Sequence, residues 1–267
     1  MELTSVLDGT HNARDLGGIA LDGGAMVASG RAFRSDALAT LTPSGVQGIV
    51  DLRIGTVIDL RTDGERLRAP DVLPTGDDVQ LVDLPILGGA MDELVAQLLP
   101  SGGQAALDDQ QVAALVEQIP TLEELYVAIL QSSAPQFARI ARIVAASTGT
   151  ERPGVLFHCT AGKDRTGLAA ALLLAVAGAE RAAIVADYEL TQANLAGAFA
   201  DALTGLITQL GIPLVPRLET LATKAPASAI TAALDWVEAN HGDAAGYLRS
   251  GGATEAEVAA VREALRG

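Results

Sequence analysis

Short apolar runs and longer amphipathic stretches alternate along the chain, and their two periods separate strands from helices. Near the N-terminus, Ile19-Ala-Leu21 and Ala25-Met-Val27 flank Asp22-Gly23-Gly24, a pattern that predicts a hairpin. Arg31-Ala-Phe-Arg34 has the length of one short strand. Thr42 followed by Pro43 predicts a capped helix to about Val50, because proline is tolerated in a first turn. Thr56-Val-Ile-Asp-Leu60 and Val79-Gln-Leu-Val-Asp-Leu84 read as strands, the first mostly apolar as a buried parallel strand should be. From Met91 to Ala146 the pattern is helical, broken at Pro100-Ser-Gly-Gly103 and at Pro120. Thr121-Leu-Glu-Glu124 predicts a capping box, and Pro135 bends or restarts the helix behind it.

Gly154-Val-Leu-Phe157 returns to strand, and Leu168 to Val176 is apolar almost all round, which predicts a helix buried against a sheet. Beyond Glu180 every stretch reads helical, with another capping box at Thr254-Glu-Ala-Glu257. This order predicts an α/β fold: a central, mostly parallel sheet flanked by helices, with helical insertions and a helical C-terminal region. No repeat or Pro/Gly-rich linker divides the chain, so residues 1–267 are expected to form one domain.

Composition narrows the function. Lys and Arg total 18 against 33 Asp and Glu, a net charge of −15. That field repels nucleic acid and acidic membranes, although salt limits its reach to about 8 to 10 Å, so a local cationic pocket can still bind an anion. One cysteine excludes an intrachain disulfide framework, and three scattered histidines give no zinc-ligand spacing. No signal-peptide pattern is visible and the longest apolar run, Leu168 to Ala179, is too short for a membrane span. The expectation is a soluble protein with a reduced thiol, cytoplasmic or else secreted without a recognisable signal, and the Ala and Gly content suggests a bacterial coding sequence.

That single cysteine carries the chemistry. It stands in Phe157-His-Cys-Thr-Ala-Gly-Lys-Asp-Arg-Thr-Gly-Leu168, between a predicted strand and a predicted helix. A seven-residue loop from Cys159 to Arg165 would gather the backbone N–H groups of Thr160, Ala161, Gly162, Lys163, Asp164 and Arg165 around an anion, with the helix N-terminus adding partial positive charge. Such surroundings lower a thiol pKa from about 8.5 to roughly 3.5–7.5. Thr166 can donate its hydroxyl to the sulfur, and Arg165 suits a two-pronged clamp on a tetrahedral oxyanion. Three other readings fit less well. An inert core cysteine needs no adjacent cations. A nucleotide P-loop needs Ser or Thr after its lysine, where Asp164 stands. A sulfur-transfer loop of the rhodanese kind usually has one residue fewer between cysteine and arginine. Phosphoryl transfer to cysteine remains.

His158-Cys159-Thr-Ala-Gly-Lys-Asp-Arg165-Thr166 resembles the Cys-x5-Arg-Thr signature of cysteine-dependent tyrosine phosphatases. Lys163 resembles the lysine of phosphatases acting on inositol phospholipids, and Asp164 the loop aspartate of the myotubularin group. Together with Asn12-Ala-Arg-Asp-Leu-Gly-Gly18, Phe33-Arg-Ser-Asp-Ala-Leu38, Val57-Ile-Asp-Leu-Arg61 with Glu65, and Asp187-Tyr188 with Thr191, the loop looks like the bacterial and fungal family typified by mycobacterial protein tyrosine phosphatase B. The resemblance implies a fold like that of dual-specificity phosphatases, a cysteinyl-phosphate intermediate, and neither metal nor cofactor. It implies phosphoprotein substrates (tyrosine, and for many members serine or threonine) or phosphoinositides, with inorganic phosphate as product. A phosphate-binding module without turnover is the alternative from another class.

A proton donor is also needed. Ordinary tyrosine phosphatases carry that aspartate on a separate upstream loop, whereas Thr148-Gly-Thr-Glu-Arg-Pro153 offers none. The resemblance assigns the role to Asp164, with Asp83 at the end of a predicted strand as the alternative. Lys163 reads as a second phosphate or inositol contact, His158 as a strut, and Arg14 with Asp15 as an anchor for the N-terminal segment. Asp59, Arg61 and Glu65 read as one structural ion-pair network. Tyr188 is a core residue or a pocket wall. Residues 91–119 and the segment from Leu210 to Pro216 are candidates for a mobile cover.

Overall fold

The structure, a computed structural model, describes residues 5–76, 79–87, 120–209 and 214–266. The cover candidate at 91–119 lies outside the described residues, as does most of the candidate at 210–216. Five strands form one sheet: β1 (Arg14–Asp15), β2 (Ala32–Ser35), β3 (Ile54–Asp59), β4 (Gln80–Asp83) and β5 (Gly154–His158). Their order is β1-β2-β5-β3-β4, and only the short edge strand β1 runs antiparallel. Every residue of β5 is buried, as its unbroken apolar run requires of the central strand. In register, Leu156 lies between Phe33 and Val57, and His158 between Ser35 and Asp59. The parallel strands therefore end level, and their carboxyl ends share one edge, where open α/β sheets bind ligands.

The hairpin expected around residues 22–24 forms the cross-chain bonds Val27 N–H to Ile19 O and Leu21 N–H to Ala25 O, each 2.8 Å. It does not extend into a ladder, because Leu21 bridges Ala179 and the Asp22 amide bonds Gly178 O at 2.8 Å. The hairpin is drawn onto the end of a helix instead of growing as a ribbon.

On one face of the sheet, α1 (Pro43–Asp51) starts where Thr42 accepts a bond from the Gly45 amide. After β3 comes α2 (Asp63–Arg68), opened by a capping box between Thr62 and Glu65. The box predicted at Thr121 opens α3 (Leu122–Ser132), and Pro135 in the first turn restarts the chain as α4 (Ala134–Ala146). The helix after the cysteine is α5 (Asp164–Ala177), buried along nearly all its length. Then follow α6 (Arg181–Asn194), α7 (Ala198–Gln209), α8 (Pro216–Thr223), α9 (Ala227–His241), α10 (Ala244–Ser250) and α11 (Glu255–Arg266).

Helices α6, α9, α10 and α11 all pack on α5, so its apolar surface is covered on every side. Arg262 and Arg266 on α11 donate to the Val176 and Ala177 carbonyls at 2.9 and 2.8 Å, closing the C-terminus of α5. Among the described residues no helix is long and apolar enough to cross a membrane.

Alternation along β5 feeds both layers: Val155 and Phe157 enter the core of the α5 side, while Leu156 packs with Phe33, Val57 and Ile49 on the α1 side. Leu156→Ala is therefore expected to cost about 2–5 kcal/mol. Urea unfolding should show a lower midpoint at unchanged slope; an unchanged midpoint would mean that the α1 layer does not pack tightly on β5.

Candidate active site

The helix starts earlier than the sequence suggests. Asp164 is its first residue, so the loop is Cys159–Lys163, and Arg165 and Thr166 belong to the first turn of α5. Gly162 makes this tight return possible with φ of +64°, and a Cβ there would lie 2.4 Å from Ser35 O and 2.6 Å from Asp36 N. Successive loop carbonyls are tied back into the protein. Thr160 O accepts from the Ala37 amide at 3.0 Å, Ala161 O from Asn12 Nδ2 at 3.2 Å, and Gly162 O from Asn12 Nδ2 at 3.1 Å and Arg34 at 2.8 Å. Lys163 O accepts from Gly167 N–H at 2.8 Å within the helix. A trans peptide points its N–H opposite to its C=O. The amides of Ala161, Gly162, Lys163 and Asp164 therefore point away from these tied carbonyls, in a loop that begins at the buried Cys159.

The residues that hold the carbonyls are themselves held. Arg34, completely buried, and Arg14 share the carboxylate of Asp187 at 2.6 and 2.8 Å. Arg14 and Asn194 both reach Asn12 Oδ1, and Asp36 accepts the His11 and Asn12 amides at 3.0 and 2.9 Å. Burial works against ionisation of Asp187, but Arg34 and Arg14 outweigh it and hold its pKa below the usual aspartate value. Burial and the proximity of Arg34 bring Arg14 down to about 10, against the pull of Asp187. Asp15 accepts the Gly17 and Gly30 amides, both at 2.8 Å, and so anchors the N-terminal segment as expected.

On the other side of the loop, Arg165 makes a two-pronged pair with Glu65, Nη1 to Oε2 at 2.8 Å and Nη2 to Oε1 at 2.6 Å. Thr160 Oγ1 also donates to Glu65, and the Thr62 amide holds Oε2 at 2.8 Å. Glu65 thus both caps α2 and holds the arginine, and its charge also acts on Arg61, in line with the network that the sequence suggests. Arg61 pairs directly with Asp59 and Asp71, each at 2.8 Å. His158 Nε2 lies 3.1 Å from Asp71 Oδ2, so the histidine is a strut. Asp59, Asp71 and His158 sit close enough to ligate a cation, but Arg61 already bridges the two carboxylates.

Two expected contacts are not formed. The Lys163 ammonium is buried and donates to Leu221 O at 2.6 Å and Lys224 O at 3.1 Å, at the negative C-terminal end of α8. Thr166 Oγ1 is buried and has no hydrogen-bond partner among the described residues, so the expected bond to the sulfur is not formed. Asp83 ends β4 half exposed, with Arg66 at 3.7 Å, two strands away from β5. Asp164, by contrast, adjoins the loop directly and accepts a bond from Tyr126 at 2.8 Å, while Tyr126 and Tyr188 meet at 2.7 Å. Tyr188 is a core residue, and Tyr126 is a partner that sequence spacing gave no means of finding.

A mostly parallel sheet that places a cysteine, a loop with tied-back carbonyls and a paired guanidinium at its carboxyl edge defines an α/β protein suited to handling anions. The chain belongs to the tyrosine phosphatase family, whose sequence model matches residues 5–267. A candidate tyrosine-protein phosphatase of Cupriavidus necator is 33% identical over 257 residues, covering 96% of this chain and 85% of that protein. The triple specificity protein phosphatase PtpB of Mycobacterium tuberculosis is 30% identical over 281 residues, 98% of each. TpbA of P. aeruginosa, solved in complex with pTyr, is 19% identical over 62% of this chain and 71% of that one, with a TM-score of 0.29.

Two outcomes follow from this geometry. Gly162→Ala must displace the backbone of residues 35 and 36 or the loop, so affinity for orthovanadate should fall more than about tenfold. Calorimetric titration checks this, and undiminished affinity would show that the loop has slack. Asp187→Ala removes the carboxylate shared by the buried Arg34 and the largely buried Arg14 and should cost about 3–5 kcal/mol near neutral pH. A depressed folded-state pKa gives stability that is complete above the unfolded value, ~3.9, and is lost as pH falls through the folded value. The gap between wild type and variant in urea unfolding should therefore be constant from about pH 7 to 5 and begin to close near pH 4.

Proposed function

We propose that the chain, acting as one domain over residues 1–267, hydrolyses phosphotyrosine through a cysteinyl-phosphate intermediate at Cys159. The observation that supports this reading is the run of loop carbonyls tied back into the protein, which leaves the amides that follow them free to point to the other side of the loop that begins at Cys159. Three equatorial phosphoryl oxygens carry the charge of the transition state, and amides fixed in advance stabilise it without reorganising. Arg165, held in plane by Glu65, adds charge-assisted bonds to two of those oxygens.

In the first step the Cys159 thiolate attacks phosphorus, the bond to the phenolic oxygen breaks, and Asp164 gives that oxygen its proton. In the second, water attacks the phosphocysteine, Asp164 takes a proton from it, the S–P bond breaks, and inorganic phosphate leaves with the thiolate restored. Asp164 is favoured over Asp83 as the proton carrier because it belongs to the turn that follows the loop, whereas Asp83 stands two strands from β5. The named specificity of the mycobacterial relative supports activity beyond phosphotyrosine alone. The phosphoinositide alternative loses the side chain that favoured it, since the Lys163 ammonium is committed to carbonyls of α8 and its neighbour.

Phosphate release from a phosphotyrosine peptide, a phosphoserine peptide and dispersed phosphatidylinositol 3-phosphate tests this. Cys159→Ser should abolish turnover on all of them, and the phosphotyrosine peptide should rank first. Asp164→Asn should lower kcat/KM by about 10²–10⁴-fold on the peptide. Orthovanadate binding without turnover of any substrate would leave a phosphate-binding module.

A further inference from the structure

A chain of hydroxyl groups ends on the carboxylate just assigned the proton. Tyr126 comes from α3, Tyr188 from α6 and Asp164 from the first turn of α5, so three helices must pack correctly to assemble it. Both tyrosines are buried, their rings meet edge to face at 87°, and Gly167 gives the Tyr188 ring its space: a Cβ there would lie 3.1 Å from the ring. A buried phenol normally needs one acceptor, which any backbone carbonyl could supply. Here that acceptor is Asp164.

The direction of the chain is fixed by proton count. A carboxylate only accepts, so Tyr126 must donate its one proton to Asp164 Oδ1, at 2.8 Å. Tyr188 must then donate to Tyr126, at 2.7 Å. Burial first, and then the charge of Asp164, push the Tyr126 hydroxyl well above its ordinary pKa, and burial does the same for Tyr188, so both remain donors. Lys163 Nζ lies 3.6 Å from the same Oδ1. One oxygen of Asp164 therefore faces only donors, while Oδ2 accepts no hydrogen bond among the described residues.

Resting on the assignment of Asp164 as the acid, we propose that Tyr126 is a positioning residue that reserves Oδ1 as an acceptor, confines the transferable proton to Oδ2, and is itself braced by Tyr188. A proton on Oδ1 would meet the Tyr126 donor head-on; on Oδ2 it meets no hydrogen-bond donor among the described residues. As that proton passes to the leaving oxygen, negative charge grows over both carboxylate oxygens. The Tyr126 bond changes from neutral to charge-assisted, about twice as strong. The interaction is thus stronger in the transition state than in the ground state, which is the condition for it to raise the rate.

Leaving-group dependence tests this, because an acid matters only where the departing oxygen is strongly basic. Values of kcat/KM, which report on the first chemical step, are measured on the phosphotyrosine peptide, phenyl phosphate and 4-nitrophenyl phosphate. Tyr126→Phe should lose about 10- to 100-fold on the first two. On 4-nitrophenyl phosphate the loss should stay below about threefold, as a strand-by-strand loosening of the loop would not allow. Tyr188→Phe should show the same selectivity with a smaller loss, and serves if Tyr126→Phe does not fold. Asp164→Asn is run alongside, with the double variant, which should be no slower than Asp164→Asn alone.

If Asp164→Asn is selective for basic leaving groups but both tyrosine variants lose activity evenly on all esters, or lose none, the positioning role is overturned. If Asp164→Asn itself shows no selectivity, the acid assignment has failed and the tyrosine role falls with it.

Discussion

Everything at the carboxyl edge of the sheet depends on one constraint: the carbonyls of Thr160, Ala161 and Gly162 must be held away from the space beside Cys159. A free five-residue loop would turn some carbonyls inward, where they would repel an anion. Asn12 and Arg34 prevent that, and they can do so only because Asp187 on α6 fixes the guanidinium of Arg34. The loop geometry is thus paid for by a buried charge network that reaches from the N-terminal segment to a helix more than 150 residues later.

Charge distribution follows the same logic. The chain as a whole carries −15, yet Arg34, Arg61, Lys163 and Arg165, the fully buried cations among the described residues, all gather around this edge. Burying a cation is costly unless it is paired and hydrogen-bonded. Each of these four has a named partner: Asp187, Asp59 with Asp71, the carbonyls at the end of α8, and Glu65. Arg165 is held by Glu65 at the start of α5, Arg61 bridges two carboxylates at the sheet edge, and Lys163 ties the loop to α8.

Family-like stretches scattered over residues 12–191 gain a physical meaning from this arrangement. Asn12 and Arg14, Arg34 and Asp36, and Asp187 with Thr191 lie far apart in the chain and converge behind one loop. Their spacing in sequence carried no hint of that convergence. Asn12, Arg34 and Tyr126 were not identifiable as support for the site because each acts through a partner on a different element.

The sequence by itself determined the elements and the reactive loop. Strand and helix periods, the caps at Thr42, Thr121 and Thr254, and the apolar helix after Cys159 are local consequences of side-chain chemistry, so they are readable along the chain. The composition of Cys159 to Thr166 likewise shows its chemical class without any coordinates. Only the tertiary structure decided which partner each cation of the loop takes. It gave Arg165 to Glu65, withdrew Lys163 to the end of α8, and placed two tyrosines on Asp164. The reason is that a long charged side chain takes whichever partners lie within hydrogen-bond reach, and packing of distant elements, not neighbours in sequence, sets what those partners are.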